Sequence, residues 1–211
     1  MDLELARDRL VRDLSREIAD RRVLRAIASV PRELFVPQDC YQFAYEDKPL
    51  GIGFGQTISQ PFIVALMTEA LKLRGGEKVL EVGGGSGYQT AILAELAKRV
   101  VSVERIPQLT ESAKCVIDKL GYTNIEIHVA GSSLGWMAES PYDAIIVTAA
   151  APHVPQTLLD QLAFGGRLVL PVGSKWEQEL LRVIKRKRRN SIENLAGCRF
   201  VPLIGMDAWG E

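Results

Sequence analysis

The stretch that decides the fold is residues 79–89, VLEVGGGSGYQ, in which a β-rich run leads directly into a cluster of glycines. Residues 78–82 predict a strand, and the apolar residues 91–94 after the glycines predict a helix. Gly83, Gly85 and Gly87 lack side chains, so backbone N–H groups can approach a ligand and a helix N-terminus can face an anionic group. The segment therefore predicts a strand, a ligand-binding turn and a helix.

The alternation of strand and helix continues after this turn. Further strands are predicted at residues 100–104, 125–129, 144–147 and 168–171, and further helices at residues 107–121 and 155–162. Such alternation demands a mostly parallel sheet covered by helices on both faces. A ligand then binds beyond the carboxyl ends of the strands, where the strand order reverses. The predicted fold class is α/β, a doubly wound, mostly parallel sheet flanked by helices.

The N-terminal third predicts a helical layer with a loop. Amphipathic spacing at residues 3–29 indicates one or two helices, and three glycines at residues 49–55 indicate a loop. Ser59 then has the features of a helix N-cap, with Pro61 near the start of the helix and its end at residues 75–76.

The C-terminal end predicts an antiparallel edge to the sheet. Apolar runs at residues 180–184 and 199–203 are separated by polar sequence without a convincing helix, which favours an antiparallel pair. We therefore expect a single domain over residues 1–211. Its parts are a helical and loop layer at 1–76, an α/β core at 77–173 and C-terminal strands at 174–211.

Composition limits the partners. The chain has 26 Lys and Arg residues and 26 Asp and Glu residues, so no long-range field should draw it to nucleic acid or to an anionic membrane. Cys40, Cys115 and Cys198 are widely spaced and predict neither a disulfide framework nor a metal site. No apolar run approaches the roughly 20 residues that span a bilayer, and the N-terminus lacks a signal-peptide layout. We expect a cytoplasmic protein.

Two acidic residues beside the glycine turn narrow the class of ligand. Glu104 ends the next strand, where its carboxylate can accept hydrogen bonds from both hydroxyls of a ribose, although it could equally be a solvated strand end. A dinucleotide site also uses such an acid, but Tyr88 occupies the last position of its glycine pattern, which weakens that alternative. Glu81 favours a nearby cationic group over a pyrophosphate. Together they favour S-adenosylmethionine.

Several segments resemble one family. Residues 79–89 and VERIP at residues 103–107 resemble the cofactor motifs of the protein-L-isoaspartate O-methyltransferases, which are Rossmann-like class I methyltransferases. GQTISQP at residues 55–61 is the most discriminating segment, because generic methyltransferases of this fold do not carry it ahead of their first strand. The resemblance covers most of the chain through VPRELFVP (30–37), DAIIVTAAAP (143–152), GGRLVLPVG (165–173) and FVPLIG (200–205).

The resemblance implies an activity. Such an enzyme transfers a methyl group from S-adenosylmethionine to the free carboxylate of L-isoaspartyl residues in damaged proteins, and S-adenosylhomocysteine is the other product. The sequence does not decide whether D-aspartyl residues are a second substrate. The methyl ester would collapse to a succinimide whose hydrolysis returns some normal aspartate. The implied partners are isoaspartyl peptides and proteins, and the family's usual state is a monomer.

The resemblance also implies the site residues. The GQTIS loop is expected to close over the cofactor, with the hydroxyl of Ser59 near the reacting carboxylate as the catalytic group and with Gln60 beside it in substrate binding. A helix-capping role for Ser59 stays compatible with this one. The implied cofactor-binding residues are Thr57, Ile58, Glu81, Gly83, Gly85, Ser86, Gly87, Glu104, Arg105 and Ser132.

Two departures from the family pattern and two alternatives stay open. Ser132 stands where the family usually has an aspartate directed at the adenine, so we expect a lower cofactor affinity; Gly84 replaces a usual threonine.

A nucleic-acid or small-molecule methyltransferase would share the cofactor half, but residues 148–152, TAAAP, are small and apolar for a base pocket. A non-catalytic adapter would be expected to lose the GQTIS loop, which is intact.

Overall fold

The computed structural model describes residues 2–210 and contains a seven-stranded sheet and a separate two-stranded hairpin. The helices are α1 (Leu3–Leu14), α2 (Arg21–Ser29), α3 (Pro61–Ala70), α4 (Tyr88–Ala94), α5 (Pro107–Lys119) and α6 (Gln156–Gln161). The strands are β1 (Leu50–Gly53), β2 (Gln56–Ile58), β3 (Lys78–Val82), β4 (Arg99–Glu104), β5 (Ile125–Val129), β6 (Tyr142–Val147), β7 (Leu162–Gly173), β8 (Gln178–Ile184) and β9 (Ser191–Cys198). The ends of the predicted domain, Met1 and Glu211, lie outside the described residues.

The large sheet has the order β5-β4-β3-β6-β7-β8-β9, and its first five strands run parallel. The chain begins the sheet at β3, adds β4 and β5 on one side, and then crosses to add β6 and β7 on the other. The strand order therefore reverses between β3 and β6, which is where an open α/β sheet binds its ligand. The predicted fold class, a doubly wound and mostly parallel sheet, is confirmed.

Two buried apolar clusters cover the faces of this sheet. One joins sheet residues such as Val79 and Val100 to side chains of the N-terminal layer, including Ile27 and Val64. The other contains Leu80 and the C-terminal side chains packed against the opposite face. Alternate residues of one strand thus enter different clusters, as the period-2 geometry of a strand requires. The single-domain organisation with three parts stays a prediction.

The antiparallel edge differs from prediction in its second strand. β8 pairs with β7 and with β9, and β9 is the polar segment Ser191–Cys198 instead of residues 199–203. β9 lies at the edge and its side chains are mostly exposed, so it needs no apolar alternation. Residues 200–203 are apolar because they cross the carboxyl end of the sheet, where Leu203 is buried and Pro202 bridges to Ala150.

The N-terminal layer also differs from prediction in detail. The structure confirms two helices, α1 and α2, but the predicted loop at residues 49–55 forms most of the β1–β2 hairpin. Helix α3 begins at Pro61 with Gln60 at the N-cap, so Ser59 is not the cap. The helix ends at Ala70, five residues before Gly75, because Lys72 adopts a left-handed φ of 50°. Among residues 2–210, no helix combines the length and apolarity of a membrane span.

Candidate active site

A cavity of about 240 Å³ opens beyond the carboxyl ends of β3, β4 and β6. Its position follows from the strand order, since the reversal between β3 and β6 leaves a crevice that no crossover helix covers. The GQTIS segment forms one part of the wall and the glycine turn another. The wall consists of residues 55–59, Val64, residues 82–86, Tyr88, Gln89, residues 103–106, Ala130, Gly131, residues 133–135, Thr148, Ala149 and residues 201–204.

The glycine turn packs so closely that a side chain at two of its positions would meet a neighbouring hydroxyl group. A Cβ on Gly83 would lie 2.5 Å from Thr148 Oγ1, and a Cβ on Gly84 would overlap Ser102 Oγ. Gly83 has a φ of 96°, in the left-handed region that favours glycine. The contact at position 84 is with a serine hydroxyl that can rotate, so close packing favours glycine there without requiring it.

The backbone amides of the turn, predicted to face the ligand, mostly bond within the protein. The amides of Gly83 and Gly84 both donate to Val103 O, at 2.8 and 3.2 Å, and the amide of Gly87 donates to Gly84 O at 2.9 Å. The turn is therefore tied to the end of β4. The missing side chains of Gly83 and Gly84 let the turn pack closely against Thr148 and Ser102.

Glu104 joins the turn to the cavity through its carboxylate. Oε2 accepts a hydrogen bond from the amide of Gly85 at 3.0 Å, and Oε1 accepts one from the amide of Ile106 at 2.8 Å. The side chain is only 8% exposed and lies on the cavity wall. Each oxygen keeps a second lone pair, so the carboxylate can still accept hydrogen bonds from two hydroxyls of a ligand.

The GQTIS segment brings three of its predicted residues to the cavity. Thr57, Ile58 and Ser59 lie on the wall, and Ile58 is buried while Thr57 is exposed. The β1–β2 hairpin also reaches over the glycine turn, because Ile52 Cδ1 lies 3.4 Å from the position of a Cβ on Gly85. The segment that marks this family in the sequence thus shares a cavity with the cofactor motif.

Three other predicted residues also line the cavity: Gly85, Ser86 and Arg105. The Ser86 hydroxyl accepts a long hydrogen bond from the amide of Tyr88 at 3.4 Å, so it is held at the start of α4. Arg105 is exposed at the rim, directly after Glu104.

Four predicted site residues lie off the cavity wall. Gln60 turns away, and its Nε2 donates to Asp47 Oδ2 at 3.0 Å. Gly87 packs against α5, where its Cβ would lie 3.1 Å from Ala113 Cβ, so its role is close helix packing. Ser132 is exposed, and its neighbours Gly131 and Ser133 line the cavity in its place. The fourth is Glu81.

Glu81 is buried beneath the glycine turn, whereas the sequence predicts a contact with a cationic group. Its Oε2 accepts a hydrogen bond from Thr90 Oγ1 at 2.5 Å, and Oε1 has no partner among residues 2–210. Burial raises the pKa of Glu81 to about 7, with a smaller contribution from the charge of Glu104. A direct contact between Glu81 and a ligand in the cavity is therefore not supported.

Several wall residues are not singled out by the sequence. Tyr88 and Gln89 open α4, Thr148 follows β6, and residues 201–204 cross the carboxyl end of the sheet. The FVPLIG match at residues 200–205 is the available signal for the last group, although the hydrophobic pattern there predicts a strand. Strand pairing and cavity lining both select apolar residues, so the pattern alone does not separate them.

Neither histidine of the chain lies on the cavity wall. His128 stacks on Trp136 with ring centroids 4.1 Å apart, and His153 pairs with Asp207 at 2.9 Å. Glu126, His128 and Glu139 lie within metal-ligand reach of one another, but Arg99 pairs with both carboxylates, at 2.5 and 2.8 Å. The guanidinium thus supplies the positive charge there, and the cluster is an ion-pair network on the sheet edge.

Comparison with known proteins decides the family. The family model described as protein-L-isoaspartate(D-aspartate) O-methyltransferase matches residues 6–208. This chain belongs to that family. A protein-L-isoaspartate O-methyltransferase of Geobacter metallireducens is 52% identical over 213 residues, which cover 100% of this chain and 99% of the relative. One of Dictyoglomus turgidum is 53% identical over 206 residues, covering 97% and 94%.

Solved structures of the family share the fold. One protein-L-isoaspartate O-methyltransferase superposes with a TM-score of 0.86 at 31% identity, covering 94% of this chain and 66% of that longer chain. A candidate protein-L-isoaspartate O-methyltransferase of Plasmodium falciparum, in complex with S-adenosyl-L-homocysteine, has a TM-score of 0.79 at 27% identity and covers 92% and 96%. The predicted family, enzyme class and cofactor are confirmed.

Proposed function

We propose that this methyltransferase uses the cavity between the GQTIS segment and the glycine turn to methylate the free carboxylate of L-isoaspartyl residues in damaged proteins. One observation carries the proposal: Ser59 lies on the wall of the same cavity as Glu104 and Gly85. A methyl donor bound on the glycine side and a carboxylate bound at Ser59 would therefore meet in the same cavity.

The cavity fits S-adenosylmethionine by the chemistry of its wall. Glu104 offers carboxylate oxygens to the hydroxyls of a ribose, and the apolar Ile106 and Leu134 offer a setting for an adenine ring. Ser133 adds a hydroxyl that can accept one hydrogen bond from the adenine amine. This assignment replaces Ser132 by its neighbour and supports the expectation of a modest cofactor affinity. When bound, the cofactor supplies a methyl group activated by its sulfonium.

The remaining task of the protein is to align the attacking carboxylate oxygen with the methyl group of the cofactor. A carboxyl group of this kind has an ordinary pKa of about 4, so the isoaspartyl side chain is ionised at neutral pH and no general base is needed. The position of both histidines away from the wall agrees with that requirement. Ser59 donates a hydrogen bond that orients the attacking oxygen, and Ile58 and Val64 exclude water from its approach. The backbone nitrogen of the next residue then attacks the ester carbonyl and methanol leaves, so the succinimide forms without further help from the protein.

A protein substrate is favoured over a nucleic acid by the loop after β6. A flipped base would need an open pocket there, but the amide of Ala150 donates to Val201 O and the amide of Leu203 donates to Ala150 O, both at 2.8 Å. The loop is thus paired along residues 201–203. The basic run at residues 185–189 lies in the tip of the β8–β9 hairpin, away from the cavity wall. We further propose a cytoplasmic monomer that binds neither nucleic acid nor membrane.

The repair reaction itself tests this function. The purified enzyme is incubated with S-adenosylmethionine and an isoaspartyl peptide, and the peptide forms are separated by chromatography and mass spectrometry. Conversion to succinimide and to the normal aspartyl peptide supports the function, and a D-aspartyl peptide run in parallel decides the second substrate. An unchanged isoaspartyl peptide, with cofactor binding intact, would favour a small-molecule or nucleic-acid acceptor instead.

A further inference from the structure

Ser59 occupies a short linker that must be held at both ends to keep its hydroxyl in place. On one side β2 ends at Ile58, which is buried and pairs with Leu50 of β1. On the other side α3 begins at Pro61, which has no amide hydrogen to donate. Gln60 occupies the N-cap position, but its side chain makes no capping hydrogen bond. Helix α3 therefore needs a cap from elsewhere in the chain.

Asp47 supplies that cap with both oxygens of its carboxylate. Oδ1 accepts a hydrogen bond from the amide of Phe62 at 2.8 Å, and Oδ2 accepts one from Gln60 Nε2 at 3.0 Å. The two bonds hold the residues on either side of Pro61, directly after Ser59. A negative charge at the N-terminus of a helix is also favoured by the helix dipole.

The loop that carries Asp47 is itself fixed to the cavity wall. Arg32 is fully buried, and it donates from Nε to Ala44 O at 2.8 Å and from Nη2 to Lys48 O at 3.5 Å. These carbonyls bracket Asp47 in the sequence. The guanidinium also lies 4.9 Å from the ring centroid of Tyr88, a wall residue. A continuous series of contacts thus runs from Tyr88 through Arg32 and the loop to the Ser59 linker.

We propose that Asp47 is a positioning residue for methyl transfer, which holds the Ser59 linker in place relative to the cofactor cavity. The inference rests on the proposed role of Ser59 and adds the residue that orients it. Asp47 does not line the cavity, so it acts through the linker and not on the cofactor. Small displacements of a positioning group cost rate because near-attack geometry is lost.

A matched pair of variants separates positioning from simple stabilisation. Asp47→Ala removes the clamp on the linker. Glu69→Ala removes a similar clamp far along α3, where Glu69 Oε1 accepts hydrogen bonds from the amides of Ala19 and Asp20 at 2.8 and 2.7 Å. Both variants should lower the thermal midpoint. Only Asp47→Ala should lower kcat toward an isoaspartyl peptide, by up to about tenfold, the loss expected when the Ser59 hydrogen bond is misplaced, with the dissociation constant of S-adenosylmethionine unchanged.

A conservative variant checks the geometry. Asp47→Asn keeps an acceptor for the amide of Phe62, and its amide can donate to a flipped Gln60, so it should recover most of kcat. Equal kcat for Asp47→Ala and Glu69→Ala below their thermal midpoints would overturn the inference, as would a parallel loss of cofactor binding. A wild-type enzyme inactive on the peptide would instead overturn the proposed function, and this inference with it.

Discussion

The carboxylate of Glu104 accepts a hydrogen bond from the amide of Gly85, with 3.0 Å between Oε2 and N. This bond ties the end of β4 to the turn that follows β3, and it does so on the wall of the cavity. Two features that lie 19 residues apart in the sequence thus form one unit of the site.

Glu104→Gln should weaken cofactor binding. The substitution removes the negative charge and replaces one carboxylate oxygen by an NH2 group. This group faces one of the two backbone N–H groups, so two hydrogen-bond donors meet. A bound ribose also loses its strongest hydrogen-bond acceptor. Hydrogen bonds to charged groups contribute about 1.5–3 kcal/mol, so the dissociation constant of S-adenosylmethionine should rise about ten- to a hundredfold. Calorimetric titration measures this, with the exposed helical Glu111→Gln as a control. An unchanged dissociation constant in Glu104→Gln would remove Glu104 from the cofactor site.

Gly83→Ala should damage both the fold and the site. The new methyl group would lie 2.5 Å from Thr148 Oγ1, at a φ of 96°. A residue in that strained conformation costs about 1–3 kcal/mol before the clash is counted. We expect a lower thermal midpoint and weaker cofactor binding, measured by thermal unfolding and calorimetry. Gly75→Ala is the matched control, since Gly75 also has a left-handed φ, of 104°, but a Cβ there meets no atom within 4 Å. Equal behaviour of the two variants would contradict the close packing.

Glu81 should make the stability of the cofactor-free enzyme depend on pH. Burial raises the pKa of Glu81 from 4.5 to about 7 in the folded state. Below the pKa that Glu81 has in the unfolded protein, the carboxyl group is protonated in both states. As the pH rises through the pKa of the folded protein, the stability that comes from the neutral buried form is lost. Glu81→Gln stays neutral throughout, so its thermal midpoint should rise relative to that of wild type between pH 4.5 and 7 and the difference should level off above. A midpoint difference that is constant across this range would contradict the raised pKa.

Ser59→Ala should slow methyl transfer without affecting the cofactor. The loss of one neutral hydrogen bond corresponds to about 0.5–1.5 kcal/mol, so kcat/KM for an isoaspartyl peptide should fall up to about tenfold. Steady-state kinetics and cofactor titration measure the two quantities separately, with the exposed Ser191→Ala on β9 as a control. A wild-type rate in Ser59→Ala would contradict this role of Ser59 and would mean that backbone groups alone orient the carboxylate.

The parallel core can be predicted from sequence because its strands are short β-rich runs between turns, and the inner strands β3, β4 and β6 are almost fully buried. The predicted limits of residues 78–82 and 125–129 match those of β3 and β5 in the structure. The edge is harder: β9 is exposed and polar, while the apolar Val201 and Leu203 serve the cavity region. Local hydrophobic pattern reports burial, and it does not report which neighbour causes the burial.

The site can be predicted as a set of segments but not residue by residue. A motif shows which residues are adjacent along the chain, whereas the direction of each side chain depends on tertiary contacts. Gly87 belongs to the glycine motif yet packs against α5, and Gln60 belongs to GQTISQP yet bonds to Asp47. The sequence predicts Ser59 as the cap of α3 for the same reason, because the true cap lies 15 residues from Phe62.

Methyl transfer to an isoaspartyl carboxylate can be measured with methyl-labelled S-adenosylmethionine and two peptides of one sequence. One peptide contains isoaspartate and the other contains normal aspartate. We predict base-labile label on the isoaspartyl peptide alone. Label on both peptides, or on neither while the enzyme still binds the cofactor, would contradict it.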